Sequence, residues 1–276
     1  ALYSYSFEQN PSWSRVFAPQ AEIKQYLFDV VDKYNVMPHV RLNHEALDAK
    51  WSDDEGCWII RTPPGELRSQ FAVLACCPMH EPVLPKVKRI ENFKGEIFHS
   101  SQWRHDIDLT GKRVAVIGTG ASAIQFVPQI QPIVKQLTVF QRTAQWILPK
   151  SDMPLFSPVR SLFKFLPLTQ QLMRGSLYGV FETINGGIQS PAAMKQFQKV
   201  AQWHLNHHIK DSVLREKLTP NFIIGCKRIL QSNNWYPSLA QHNVDVIASG
   251  LAEVKGNTLI AADGESCEAD VIILGT

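Results

Sequence analysis

The sequence predicts an α/β protein. Three observations carry this: residues 113–140 read as strand, glycine turn, helix and strand; strand signals return at 244–274 behind a long helical stretch; and the N-terminal part joins an amphipathic helix to short alternating segments. At 276 residues and 45% hydrophobic, the chain has material for about two packed domains. Its 28 Lys and Arg against 25 Asp and Glu give a net charge of +3, too mild a bias to indicate a nucleic-acid partner.

The N-terminal helix is predicted from Gln20 to Asn35, where Ile23, Tyr26, Leu27, Val30, Val31 and Tyr34 recur at three- and four-residue intervals behind Pro19, so that one face should lie on a sheet. Strands are predicted at Ala46 to Trp51, Cys57 to Thr62 and Gln70 to Cys76, separated by the turn clusters Asp53-Asp-Glu-Gly56 and Pro63-Pro-Gly65. Pro78, Pro82 and Pro85 each lack a donor and hold their predecessors extended, which places a linker there and a domain boundary near Pro82. The first domain is therefore residues 1–82 and the second 83–276.

The second domain opens with the buried-strand pattern Arg113-Val-Ala-Val-Ile117, turns at Gly118-Thr-Gly120, and continues as a helix from Ser122 to about Gln136 and a strand at Leu137-Thr-Val-Phe140. Residues 156–220 carry helical spacing and no strand, giving a helical insert over about 150–222. Strands follow at Val244 to Ile247, Thr258 to Ala261 and Asp270 to Leu274, with Asp263-Gly264 as a hairpin turn.

Gly118-Thr-Gly120-Ala-Ser-Ala123 directly follows a strand and opens a helix, the context in which G-x-G-x-x-A binds a dinucleotide. Gly118 permits the tight turn, Gly120 lets backbone approach a pyrophosphate, and Ala123 allows close helix–strand packing. The helix N-terminus offers free N–H groups to the phosphates. An NAD site places an acidic residue about 20 positions further on, whereas a ribose 2′-phosphate needs a cation. Here Arg142 falls 24 residues after Gly118, within Phe140-Gln-Arg-Thr143, and no Asp or Glu occurs from Leu109 to Ser151. NADP(H) is favoured over NAD(H), with Arg142 forking across phosphate oxygens.

Phe93-Lys-Gly95-Glu-Ile-Phe-His99-Ser-Ser-Gln-Trp103 matches F-x-G-x-x-x-H-x-x-x-W and lies just before Gly118. In this, and in Gly118–Ala123, Phe140–Thr143, Gly225-Cys-Lys-Arg228 and Ala269-Asp-Val-Ile-Ile-Leu274, the chain resembles the Baeyer–Villiger monooxygenases, flavoproteins of the class B monooxygenase family. The resemblance covers nearly the whole chain and is weakest across the helical insert. It implies two dinucleotide-binding, Rossmann-like domains, an FAD domain (incomplete here) and an NADP domain with a helical insertion. It implies that Phe93, Gly95, His99 and Trp103 belong to a linker coupling NADP-domain movement to the active site.

The resemblance further implies FAD and NADP(H) as cofactors, and a ketone and O2 as substrates. NADPH reduces the flavin, a flavin C4a-peroxide forms with O2, and one oxygen atom enters the ketone to give an ester or lactone. Arg228 is carried over as the catalytic cation beside the peroxide and Lys227 as a second contact to the 2′-phosphate. With the fingerprint, the expected cofactor-binding residues are Gly118, Thr119, Gly120, Ala121, Ser122, Ala123, Gln125, Arg142, Thr143 and Lys227.

Two departures stand out: Arg104 follows the tryptophan where the family has Pro or Asp, and Cys77 replaces a glycine before the proline-rich crossover. The family's FAD fingerprint lies upstream of a segment resembling Tyr3-Ser-Tyr-Ser-Phe7, and its chain returns to the FAD domain after the motif ending at Gly275-Thr276. The sequence is therefore expected to be the interior of a longer enzyme, as its lack of an initiator Met also suggests. Two other readings stay open at this point, an N- or S-oxidising flavin monooxygenase and, for these residues alone, an NADP-binding fragment without turnover. Trp103 and Arg228 favour the Baeyer–Villiger reading over these.

Other candidates are weaker. His204, His207 and His208 share a helical segment without the glutamate of H-E-x-x-H or a third ligand, so they are expected to be exposed and no metal site is expected. Arg160 and Lys164 stand amid Leu162, Phe163, Phe165 and Leu166, which are expected to pack within the insert beside a substrate channel. The five cysteines, Cys57, Cys76, Cys77, Cys226 and Cys267, are odd in number and form no C-x-x-C, so neither a disulfide framework nor a zinc ribbon is indicated, and a cytoplasmic location fits. No apolar run approaches about 18 residues and no signal-peptide core is present, so stable membrane insertion is not expected.

Overall fold

The computed structural model describes residues 3–76, 81–188 and 190–275. In chain order the elements are α1 (Gln20–Lys33), β1 (Asp48–Ser52), β2 (Cys57–Thr62), β3 (Gly65–Ser69), β4 (Glu96–His99), β5 (Arg113–Ile117), α2 (Ala123–Ile130), β6 (Gln136–Phe140) and β7 (Ile147–Leu148). There follow α3 (Ser157–Phe165), α4 (Pro167–Ile188), α5 (Pro191–His208), α6 (Ser212–Leu218), β8 (Leu230–Gln231), α7 (Trp235–Leu239), β9 (Val244–Ile247), β10 (Leu251–Lys255), β11 (Thr258–Ala261), β12 (Ser266–Glu268) and β13 (Val271–Leu274). They form two compact units, Ala1–Glu81 with Asp152–Leu177, and Pro82–Ser151 with Tyr178–Thr276. Cys77 and Pro78 lie outside the described residues.

In the first unit, α1 buries Tyr26 and Val30 against Trp13 and Ala18. Its spacing predicts a helix on a sheet, but among the described residues this cluster contains no strand; Trp13 fills the face instead. Polar groups at this contact are paired: Trp13 Nε1 donates to Ser4 Oγ at 3.1 Å, and Tyr26 Oη donates to the Glu8 carbonyl at 2.6 Å. Strands β1, β2 and β3 form an antiparallel meander in which Trp51 sits opposite Trp58 with ring centroids 5.9 Å apart.

The third strand differs from the sequence expectation. It is Gly65–Ser69, not Gln70 to Cys76, because Pro63-Pro64 forms a two-residue turn and pairing resumes at once, with Thr62 opposite Gly65 and Thr62 Oγ1 donating to the Gly65 carbonyl at 2.6 Å. Phe71, Val73 and Leu74 run on beyond the sheet as exposed residues.

The second unit is built on a five-stranded, all-parallel sheet ordered β4-β13-β5-β6-β9. Val114, Ala115 and Val116 are buried, as a parallel strand covered on both faces requires. On one face Val114, Val116, Leu137 and Val139 pack with Ile124 and Val127 of α2 and Trp235, Tyr236 and Leu239 of α7. On the other, Ala115, Ile117, Phe140 and Ile272 meet Val254, Leu259 and Ala261 of the antiparallel meander β10-β11-β12. Helix α2 ends at Ile130, earlier than the spacing suggests, with Pro128 inside it and Pro132 just beyond.

Helices α3 to α6 fill the predicted helical stretch. His204 of α5 departs from its expected exposure: it is 2% exposed, its Nε2 donates to the Ser232 carbonyl at 2.9 Å, and its ring stands edge-on to His208 at 4.9 Å. Ala201, His204, Leu205 and His208 fall on one helical face, so helical period outweighs side-chain polarity here. Burial lowers the His204 and His208 pKa values.

Candidate functional site

The carboxyl edge of the parallel sheet gathers most of the expected site. One row of backbone hydrogen bonds closes it from strand to strand: Ser100 N to Leu274 O at 2.8 Å, Gly275 N to Ile117 O at 2.9 Å, Gly118 N to Phe140 O at 3.1 Å and Gln141 N to Ile247 O at 2.9 Å. The row fixes the ends from which the functional loops depart. In open parallel sheets, ligands lie in the crevice outside these carboxyl ends.

Gly118 adopts φ 107°, a conformation in which other residues are strained, and so turns the chain sharply off β5. Gly120 has no such internal cause. A Cβ there would meet only the Gly275 carbonyl, at 3.7 Å, so the space above it is open on the protein side. Ala123 is fully buried and lies against Gly275, where an added Cβ would sit 3.4 Å from the Ala123 methyl. Thr119 Oγ1 reaches the Thr143 carbonyl at 3.5 Å and joins this loop to the end of β6. Gln125 is exposed and its amide donates to the Ala121 carbonyl at 2.7 Å; Ser122 is exposed at the start of α2.

Arg142 is exposed at the end of β6, with its stem about 4.0 Å from the Cβ position of Gly250. It takes part in no ion pair among the described residues. The structure thus brings an open glycine loop, a helix N-terminus and a guanidinium without a carboxylate partner to one edge.

The Phe93–Trp103 segment is tied to the same edge. Gly95 passes so close to β13 that a Cβ would lie 2.1 Å from the Asp270 carbonyl and 2.7 Å from the Phe93 ring. His99 ends β4; Ser101 N–H donates to its Nδ1 at 3.1 Å, which assigns the ring proton to Nε2 in the neutral form. Trp103 is half-buried between Phe98 of β4 and Phe126 of α2, each ring centroid 5.3 Å away. Phe126 is a neighbour of this segment that carried no sequence expectation. Arg104 forms a surface pair with Asp106 at 2.5 Å, which holds that carboxyl down to about 2.

Lys227 and Arg228 stand in a different place, the exposed loop between α6 and β8. The Lys227 ammonium lies over the Phe222 ring, 4.8 Å from its centroid. β8 pairs with β7, which closely follows Arg142 in the chain, but no hydrogen bond or ion pair among the described residues joins Lys227 or Arg228 to the glycine loop.

The amino edge is closed by charge. The Arg113 backbone N–H and guanidinium bond to the Asp270 carboxylate at 2.9 and 2.6 Å, and these bonds hold Asp270 down to about 2. The edge that carries the glycine loop and the clamped edge are opposite ends of the same two strands.

A parallel sheet with a glycine loop opening a helix at its carboxyl edge defines the Rossmann-type class of dinucleotide-binding folds. The chain belongs to the flavin-binding monooxygenase-like family, whose model matches residues 6–170. A Baeyer-Villiger monooxygenase of Streptomyces coelicolor is 46% identical over 276 residues, covering 100% of this chain and 53% of that protein. A Baeyer-Villiger monooxygenase of Pseudomonas aeruginosa is 45% identical, again over 100% of this chain and 53% of the relative. The structure of an oxidised steroid monooxygenase bound to NADP superposes with a TM-score of 0.86 at 27% identity, over 99% of this chain and 60% of that one. The chain spans about half the length of the curated relatives it matches. No helix among the described residues is long and apolar enough to cross a membrane.

Proposed function

We propose that the whole protein is an NADPH- and FAD-dependent Baeyer–Villiger monooxygenase, inserting one oxygen atom of O2 into a small-molecule ketone to give an ester or lactone. The observation that carries this reading is Trp103, held between Phe98 and Phe126, which makes the F-x-G-x-x-x-H-x-x-x-W segment part of the wall behind the nucleotide loop. The names of the relatives at 45–46% identity support it.

The NADP(H) site fits the residues present. Gly118 to Ala123 would receive the pyrophosphate over the bare Cα of Gly120 and the N-terminus of α2. Arg142, exposed and without an acidic partner, would fork across the 2′-phosphate, with Thr143 beside it and Lys227 as a second cation. When bound, NADPH supplies the hydride and FAD the oxygen activation. Arg228 would then be the fixed cation that stabilises negative charge developing on oxygen as it is transferred to the carbonyl. Domain roles follow the same reading: residues 1–82 belong to the FAD domain and 83–276 to the NADP domain, except that Asp152–Leu177 of the expected insert pack with the first unit.

Product analysis and anaerobic flavin reduction in the whole protein test this. The wild type should convert cyclic ketones to lactones. Arg228→Ala should lose on the order of a hundredfold to a thousandfold of that rate, about 2.7–4 kcal/mol, while NADPH still reduces the flavin. Arg228→Lys should not restore it, since an ammonium lacks the planar fork. N- or S-oxides as the sole products, or full ester yield from Arg228→Ala, would overturn the assignment.

A further inference from the structure

We propose that the first unit carries an anion pocket of its own, shaped for a phosphate group and independent of the nucleotide loop. Helix α3 sets Ser157, Arg160, Ser161 and Lys164 at positions i, i+3, i+4 and i+7, one stripe of the helix. With Ser12, these four residues line a cavity of about 260 Å³. Every lining side chain is a cation or a hydroxyl, and none is a carboxylate.

The cations are not consumed locally. From residue 153 to residue 181 the sequence has no Asp or Glu, while Arg160 and Lys164 are basic; Arg174 is engaged with the Ser4 carbonyl at 2.8 Å. Asp152 is turned to other work, with Arg15 at 3.0 Å and the Phe17 N–H at 3.3 Å. Arg160 Nη2 lies 3.3 Å from Ser157 Oγ, and its Nε is shut off from solvent without an acceptor among the described residues. A buried guanidinium N–H with no acceptor is uncommon, and a bound oxyanion would satisfy it. Three hydroxyls, a planar fork and an ammonium around one space suit a tetrahedral phosphate, which offers acceptors in several directions.

That phosphate has two candidate sources. Phe165, the last residue of α3, is 86% exposed and Phe156, just before the helix, is 67% exposed; nine residues apart, they flank the basic stripe on opposite sides. This corrects the expectation that the apolar residues around Lys164 pack inward; only Phe163 of them is buried. A phospholipid headgroup would place acyl chains against these rings, whereas a soluble phosphate ester would leave them bare.

The test uses the whole protein with its nucleotide loop filled by saturating NADP+, and with inorganic phosphate, titrated by calorimetry against chloride at matched ionic strength, and with phosphatidylcholine vesicles with or without phosphatidic acid in a sedimentation assay. Wild type and Lys24→Gln, a control on α1, should bind phosphate saturably. Arg160→Gln and Lys164→Gln should each weaken binding about tenfold, as loss of one charge-assisted bond implies, and the double variant should abolish it. Sedimentation with phosphatidic acid that the double variant loses would assign the phosphate to a lipid; phosphate binding without sedimentation would assign it to a soluble ester. Either supports the pocket. Flavin reduction by NADPH should be unchanged in these variants, which separates this site from the glycine loop. No saturable binding of phosphate or vesicles, or binding retained in the double variant, overturns the proposal.

Discussion

Gly95 is pressed against the Asp270 carbonyl, leaving no room for a side chain between β4 and β13. The neighbouring amide, Glu96 N, donates to that same carbonyl at 3.2 Å. The glycine of the F-x-G-x-x-x-H-x-x-x-W segment is thus required by strand packing.

Gly95→Ala should therefore destabilise the fold, by about 1–3 kcal/mol as over-packing typically does. Gly120→Ala should not, because its nearest contact is an ordinary 3.7 Å; its cost should fall on NADPH affinity instead. Urea denaturation midpoints and NADPH titrations of both variants separate the two glycines. Equal stability losses would show that Gly120 is also held by packing.

Arg142→Glu in the whole protein should reverse the preference for NADPH over NADH. It removes the fork and sets a like charge beside the 2′-phosphate, and about 3 kcal/mol corresponds to roughly a hundredfold in relative affinity. Steady-state kinetics with both nucleotides measure it. An unchanged ratio would leave selection to Lys227.

Acid should loosen the amino edge of the sheet. Asp270 is held at about 2 against an ordinary 3.8, so its stabilising effect is fully present above about pH 4 and is lost as pH falls toward 2. Asp270→Asn should be less stable than wild type at pH 7, and the gap should close at low pH. Denaturation midpoints from pH 7 to pH 2.5 check this; a gap constant with pH would mean the carboxylate contributes nothing through its charge.

His204 should give a second pH dependence, of opposite chemical origin. Its folded pKa is depressed by burial below the ordinary 6.5, so the unfolded chain binds the extra proton and stability should fall as pH drops through 6.5. His208, edge-on at 4.9 Å and also lowered, adds to the slope. His204→Gln retains a donor for the Ser232 carbonyl and should flatten the slope between pH 7 and pH 5.

The parallel core was legible because a strand buried on both faces reads as an unbroken apolar run, as Val114–Ile117 and Val271–Leu274 do, and because Gly118 marks the turn. β3, β10 and β12 were not, since Gly65–Ser69, Leu251–Lys255 and Ser266–Glu268 each have a polar face and owe their strand form to a partner's register. β4 was hidden for a related reason: Glu96 and His99 bound a strand with one neighbour. Of the candidate site, the residues that follow strand ends, Gly118–Ala123 and Arg142, could be placed from local pattern. Lys227 and Arg228 could not, because their loop precedes a two-residue strand whose position depends on β7.

The order β4-β13-β5 means that the second strand of the sheet is the last one made. A ribosome that has released everything up to β12 has produced β4 without any hydrogen-bonded neighbour and β5 with one side bare. Trp103 and His99 therefore wait on the arrival of Val271–Leu274, and a nascent chain should remain vulnerable to proteases around residues 93–103 until that strand inserts. Closure of this sheet edge waits on a strand made about 170 residues after β4, even though the sequence fingerprint emerges first.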